Sequence, residues 1–135
     1  MTVREYMNRP FELKKLIERR NHLLQSLKNI VSGTSAPISG IPKAASPDVH
    51  RFESTMARIL DLETEIRELE KEQDKAVSEV TRAITTINNP ACEEVLTARY
   101  LEFKDWTTIA RELDYCRDWV FRLHRKGLSL VTISN

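Results

Sequence analysis

The sequence predicts an all-α fold, with an N-terminal helical hairpin or coiled coil followed by a small C-terminal three-helix domain. Three observations carry this. The 135 residues include only three glycines and five prolines, and these cluster, so long stretches lack breakers. Apolar residues recur at spacings of three and four, not two. One such series continues without a fault for about four heptads. A composition 41% hydrophobic and 30% charged permits a folded core if the apolar residues are placed economically.

The first helix spans about 8–32. Leu13, Leu16, Ile17, Leu23, Leu24, Leu27, Ile30 and Val31 form its broad apolar face, and Lys14, Lys15, Arg19, Arg20 and Lys28 fill much of the rest. Pro10 suits a first turn with Asn8 as cap, although the helix can begin earlier. Residues 33–46 read as a flexible loop, because glycine, proline and serine crowd that stretch. Ser46-Pro47-Asp48 then reads as a helix start: a serine cap, a proline for the first turn, and an acid at the positive end of the dipole.

The second helix should cover about 47–88. Ile59, Leu62, Ile66, Leu69, Gln73, Ala76, Val80, Ala83 and Ile87 make a heptad seam, with Phe52 in register upstream. Residues 1–32 carry a net charge of +4 and residues 48–89 a net of −4. In a parallel self-dimer Arg58 would meet Glu63, but Glu65 would meet Glu70 and repel it. The charges therefore favour the first helix folding back, antiparallel, on the acidic second. The second helix outreaches the first, so part of its seam is left for a homodimer or higher homo-oligomer. Gln73 can fix the register or be a tolerated polar residue.

Asn88-Asn89-Pro90 stops this helix and caps the next. Residues 1–89 are thus assigned to oligomerisation and 90–135 to a separate domain. Three helices fit there: Ala91 to about Glu102, Trp106 to Leu113, and about 117–130. Val95, Leu96, Ala98, Tyr100 and Leu101 are core candidates of the first, and Trp106 is expected to close one end of the core.

The last two helices have helix-turn-helix spacing. Ala110 is the small residue that a steep crossing needs, and Ile109, Leu113, Tyr115, Val120 and Leu123 hold the apolar positions around it. Asp114 stands where glycine commonly takes the turn, and aspartate tolerates the left-handed conformation better than most residues. With Val120 and Leu123 inward, Arg117, Asp118, Phe121, Arg122, Arg125 and Lys126 fall toward the outer face. Arginines there can hold phosphates or pair with guanine in a major groove, and Phe121 can touch a thymine methyl. Cys116, Thr107 and Thr108 are candidates for backbone contacts. The alternative for the same face is a solvated basic surface on a protein-binding domain.

The stretch RYLEFKDWTTIARELDYCRDWVFRLHRKGLSLV, Arg99–Val131, resembles the helix-turn-helix of region 4 of the sigma-70 family. It is closer still to small phage and prophage proteins, the ArpU-like and RinA-like transcriptional regulators. The shared elements are Arg99-Tyr100-Leu101, Trp106 with Ile109-Ala110, Leu113 with Tyr115, and Val120-Phe121-Arg122-Leu123-His124. The family usually has serine at Cys116, threonine at Trp119 and glycine at Asp114. The resemblance implies binding to promoter DNA, control of phage late genes, and RNA polymerase as a partner.

Other classes have less to stand on. Cys92 and Cys116 form no Cys-x-x-Cys pair, and His22, His50 and His124 lie in three separate segments, so neither a metal nor a cofactor is expected. His124 is expected at the surface. No phosphate loop, nucleophile elbow or carboxylate pair points to an enzyme. No apolar run approaches the ~18 residues of a membrane span, and the start MTVREYMNRP lacks a signal-peptide core, so a cytoplasmic setting is expected. Two alternatives to a regulator remain: an adaptor contacting RNA polymerase, and the DNA-recognition (small) subunit of a phage packaging terminase.

Overall fold

The computed structural model describes residues 1–33 and 48–133. All regular structure among them is helical: α1 (Val3–Ser32), α2 (Asp48–Thr85), α3 (Pro90–Leu96), continued by a π-helical turn (Thr97–Leu101), α4 (Trp106–Leu113) and α5 (Arg117–Leu130). The expected loop lies outside the described residues except for Gly33, which ends α1 at φ +77°. No helix among the described residues is long and apolar enough to cross a membrane.

Two compact units form. One comprises Met1–Lys14 with Glu72–Asn135, and the other Lys15–Lys71. The junction at 89/90 thus lies inside the first unit, which takes in the opening turns of α1 and the last turns of α2.

α1 begins earlier than residue 8. Thr2 and Glu5 make a reciprocal capping box: the Glu5 amide donates to Thr2 Oγ1 (3.1 Å), and the Thr2 amide donates to Glu5 Oε2 (3.1 Å). Pro10 therefore sits inside the helix, not in its first turn, and Asn8 donates to Glu12 and does not cap. A proline in a helix interior costs roughly 3 kcal/mol. Full burial of the Pro10 ring, beside the buried Tyr6 and Met7 of the same helix, offsets part of that. The Pro10 carbonyl accepts from Gln73 Nε2 at 3.2 Å, so the polar residue of the heptad seam is satisfied by backbone.

The core of the first unit gathers Tyr6 and Met7 from α1, Val80, Ala83, Ile84 and Ile87 from the end of α2 and its exit, and Cys92, Val95 and Leu96 from α3. Tyr100, Ile109, Ala110, Val120, Leu123 and Val131 complete it. Tyr6 Oη donates to Glu79 Oε2 at 3.5 Å, and Arg9 lies 3.9 Å from the same carboxylate. In the second unit Ile17 is buried, as are Ile59, Leu62, Ile66 and Leu69. Two ion pairs join its basic and acidic helices, Arg20–Glu65 at 2.8 Å and Lys28–Glu63 at 3.4 Å. Exposed pairs of this kind contribute about 0–1 kcal/mol each, so they orient more than they stabilise.

α2 stops at Thr85, a turn before the expected end. Asn88 takes the left-handed region (φ 54°) and Asn89 is extended, as a residue before proline must be. The Asn89 side chain accepts from the Cys92 amide at 3.2 Å, and Pro90 stands in the first turn of α3.

Candidate nucleic-acid interface

α3 does not run straight to Glu102. It widens into the π turn and closes at Phe103, which holds φ +59°. The Lys104 amide donates to the Ala98 carbonyl at 3.0 Å across this left-handed residue. A left-handed phenylalanine costs roughly 1–2 kcal/mol. Its ring packs on Phe11 (5.6 Å between centroids) and under the Lys14 ammonium (5.7 Å).

α4 starts at Asp105, whose carboxylate accepts from the Thr108 amide at 2.7 Å. That hydrogen bond holds the Asp105 carboxyl below its ordinary range. α4 ends at Asp114, left-handed at φ 59°, ψ 43°, and the Tyr115 amide donates back to the Ala110 carbonyl at 2.9 Å. Aspartate thus takes the turn position itself. Cys116 is the N-cap of α5 but makes no side-chain cap bond, so the thiol leaves the first amides of α5 without the partner that a serine supplies.

Ile109, Ala110, Val120 and Leu123 are buried, and Leu113 and Tyr115 are half-buried against the same core. α5 approaches α3 closely at Gly127: a Cβ there would lie 2.9 Å from Leu96 Cδ1 and 3.3 Å from Cys92 Cβ. Arg117, Asp118, Arg122, Arg125 and Lys126 of α5 are exposed, and Asp118, Arg122 and Arg125 face away from this contact. Thr107 and Cys116 are exposed as well, and Thr108 is half-buried.

Two residues differ from expectation. Phe121 is half-buried: its ring meets Trp106 edge-on at 5.3 Å and lies under the Arg117 guanidinium at 5.7 Å. The ring therefore braces α5 against the start of α4. His124 is buried, not at the surface. Its Nε2 hydrogen-bonds Tyr100 Oη at 2.6 Å, and its ring stands edge-on to Trp106 at 4.7 Å. Burial, then the nearby charges of Arg4, Arg99 and Arg125, push its pKa down to about 4. His124 is thus neutral at pH 7 and adds no charge to α5. Trp106 closes the core as expected but is half-buried, with the Arg99 guanidinium 4.4 Å above its ring. Arg99 also donates to the Lys104 carbonyl at 3.0 Å.

The fold brings one cation that sequence reasoning missed. Val3 packs on the core, so the exposed Arg4 is placed close enough to Tyr100 and His124 to act on both. Nothing local in the sequence links position 4 to position 124. The acidic residues gather elsewhere. A groove of about 340 Å³ is lined by Glu93, Glu94, Glu102 and Glu112, with Ala98, Ile109 and Leu113 as apolar walls. Lys104 bridges Glu102 (3.2 Å) and Glu112 (2.5 Å) there. Four of the seven acids of 90–135 thus line this groove, while Arg117, Arg122, Arg125 and Lys126 are exposed on α5. Among the described residues no group of His, Cys, Asp or Glu could hold a metal ion. No protein-family model, curated protein or solved structure matches the chain.

Proposed function

We propose that residues 90–135 form a sigma-70 region 4-like helix-turn-helix of a phage-type transcriptional regulator, which binds promoter DNA with α5 in the major groove. One observation carries this reading. Arg117, Arg122, Arg125 and Lys126 share the exposed arc of α5 with a single acid, Asp118, while Val120 and Leu123 hold the helix to its unit. Bidentate arginines read guanine, and the flanking cations neutralise phosphates. Arg4 would add a phosphate contact from α1. Phe121 supports α5 from within, in place of a thymine contact. The protein on this reading is a binding protein and not an enzyme, acts in the cytoplasm, and meets RNA polymerase at the promoter.

α1 and α2 are read as an antiparallel hairpin. Arg20–Glu65 and Lys28–Glu63 support that order in one unit, and Tyr6–Glu79 and Pro10–Gln73 in the other. Homodimers or larger homo-oligomers would form through α2, whose Val49, Phe52 and Leu60 are at least half exposed. Two linked domains gain affinity by engaging two half-sites together.

The test is binding to a duplex from the late promoter region of the phage or prophage that carries the gene. Changing Arg117, Arg122 and Arg125 together to alanine should weaken binding by a hundredfold or more, at roughly 1–3 kcal/mol per base-reading arginine. Undiminished binding by the triple variant would reject this surface. Light scattering that finds only monomers would reject the oligomer.

A further inference from the structure

Resting on the DNA reading above, we propose that Trp119 is a strand-contacting residue of α5, its indole packing on deoxyribose at one edge of the major groove. Trp119 is 43% exposed, and it has no ring contact or hydrogen bond among the described residues. Trp106 is the contrast, engaged by Arg99, Phe121 and His124.

Helical geometry places it. At about 100° per residue, Val120, Leu123, His124 and Gly127 define the inward arc of α5, all of them buried. Asp118, Arg122, Arg125 and Ser129 then occupy the centre of the outward arc. Trp119 and Lys126, seven residues apart, lie on one border of that arc. Arg117 and Phe121 lie on the other. A helix seated in a major groove points its centre at base edges and its two borders at the two backbones. The border with Trp119 therefore faces sugar and phosphate. The ring has apolar area to cover, and its N–H can donate to a phosphate oxygen.

The charges argue against a second copy as the occupant. Trp119 has Arg122 one turn on and Lys126 two turns on, both exposed. A symmetric contact through Trp119 would bring these cations together from both copies, and like charges across an interface are costly. A polyanion neutralises them as it covers the ring. Contact with sugar also predicts a character distinct from the central arginines. Trp119 should add affinity on any sequence, whereas Arg122 should add preference for one.

The experiment uses the full chain and a mixed-sequence duplex of about two helical turns. Tryptophan emission and anisotropy are followed at low salt. The expected result is emission that changes to saturation with duplex in the wild type and loses this change in Trp119→Ala. That variant, with its helical circular dichroism intact, should bind mixed and promoter duplexes about equally more weakly, roughly tenfold. Trp119→Phe should recover most of the loss. Equal affinity of Trp119→Ala and wild type overturns the proposal and leaves the arginine surface standing. So does emission that shifts with protein concentration when no duplex is present, which marks a contact between copies. A wild type that binds neither duplex at low salt sinks the DNA reading itself, and this inference with it.

Discussion

Acidification from pH 7 to pH 5 should destabilise the unit carrying α5 through His124. The folded pKa of this residue is about 4, against an ordinary value near 6.5. Burial is the largest cause of the shift, and the charges of Arg4, Arg99 and Arg125 add to it. The unfolded chain therefore binds the proton first as pH falls. The contribution is complete above about pH 6.5, declines between 6.5 and 4, and is flat below. Over pH 7 to 5 the difference amounts to about 2 kcal/mol, at 1.36 kcal/mol per unit. That is a sizeable part of the 5–15 kcal/mol typical of a domain. Urea denaturation at the two pH values measures it, with tryptophan emission as the probe because Trp106 touches His124. His124→Gln removes the titration and keeps a hydrogen-bonding partner for the Tyr100 hydroxyl. The variant should lose about 2 kcal/mol less than wild type across the interval. Equal losses in the two proteins would refute the buried, neutral histidine.

Three further outcomes follow from the packing. Gly127→Ala gains about 1 kcal/mol of helix propensity, but its Cβ meets Leu96 and Cys92, and overpacking costs roughly 1–3 kcal/mol. The net should be a loss of about 1 kcal/mol by urea denaturation, and a more stable variant would contradict the close α3–α5 approach. Asn89→Ala removes the α3 cap and should cost about 1 kcal/mol by the same assay, whereas no change would mean the cap bond carries nothing. A thiol reagent should modify Cys116 at once and Cys92 only on unfolding, because Cys92 is fully buried and burial pushes its thiol pKa up. Two equally fast thiols would contradict that packing.

The parts of the fold readable from sequence are those set by local spacing. The α2 seam is one: Ile59, Leu62, Ile66, Leu69, Ala76, Val80, Ala83 and Ile87 are all buried, and three-and-four spacing alone marks them. The extents of α4 and α5 are readable in the spacing of Ile109, Ala110, Leu113, Tyr115, Val120 and Leu123 around the Asp114 turn. The start of α1 is also readable, in the Thr2-x-x-Glu5 capping box, but Pro10 with Asn8 before it is the more conspicuous start signal and points to a later boundary. What sequence could not supply was partnership at a distance. His124 falls at i+4 from Val120, an inward position, yet its polarity argues for the surface until Tyr100 arrives with a hydrogen bond. Arg4 acquires its place only when α1 joins the C-terminal unit. Phe103 adopts a conformation its type avoids, held by Phe11 from another helix.

The most direct measurement is the salt dependence of duplex binding by the wild type and by single alanine variants of Arg117, Arg122, Arg125 and Lys126. The logarithm of affinity should fall linearly with the logarithm of salt concentration. Each variant that removes a phosphate contact should make that slope shallower by about one. A slope that none of the four substitutions changes, or no binding even at low salt, would contradict a DNA-facing α5.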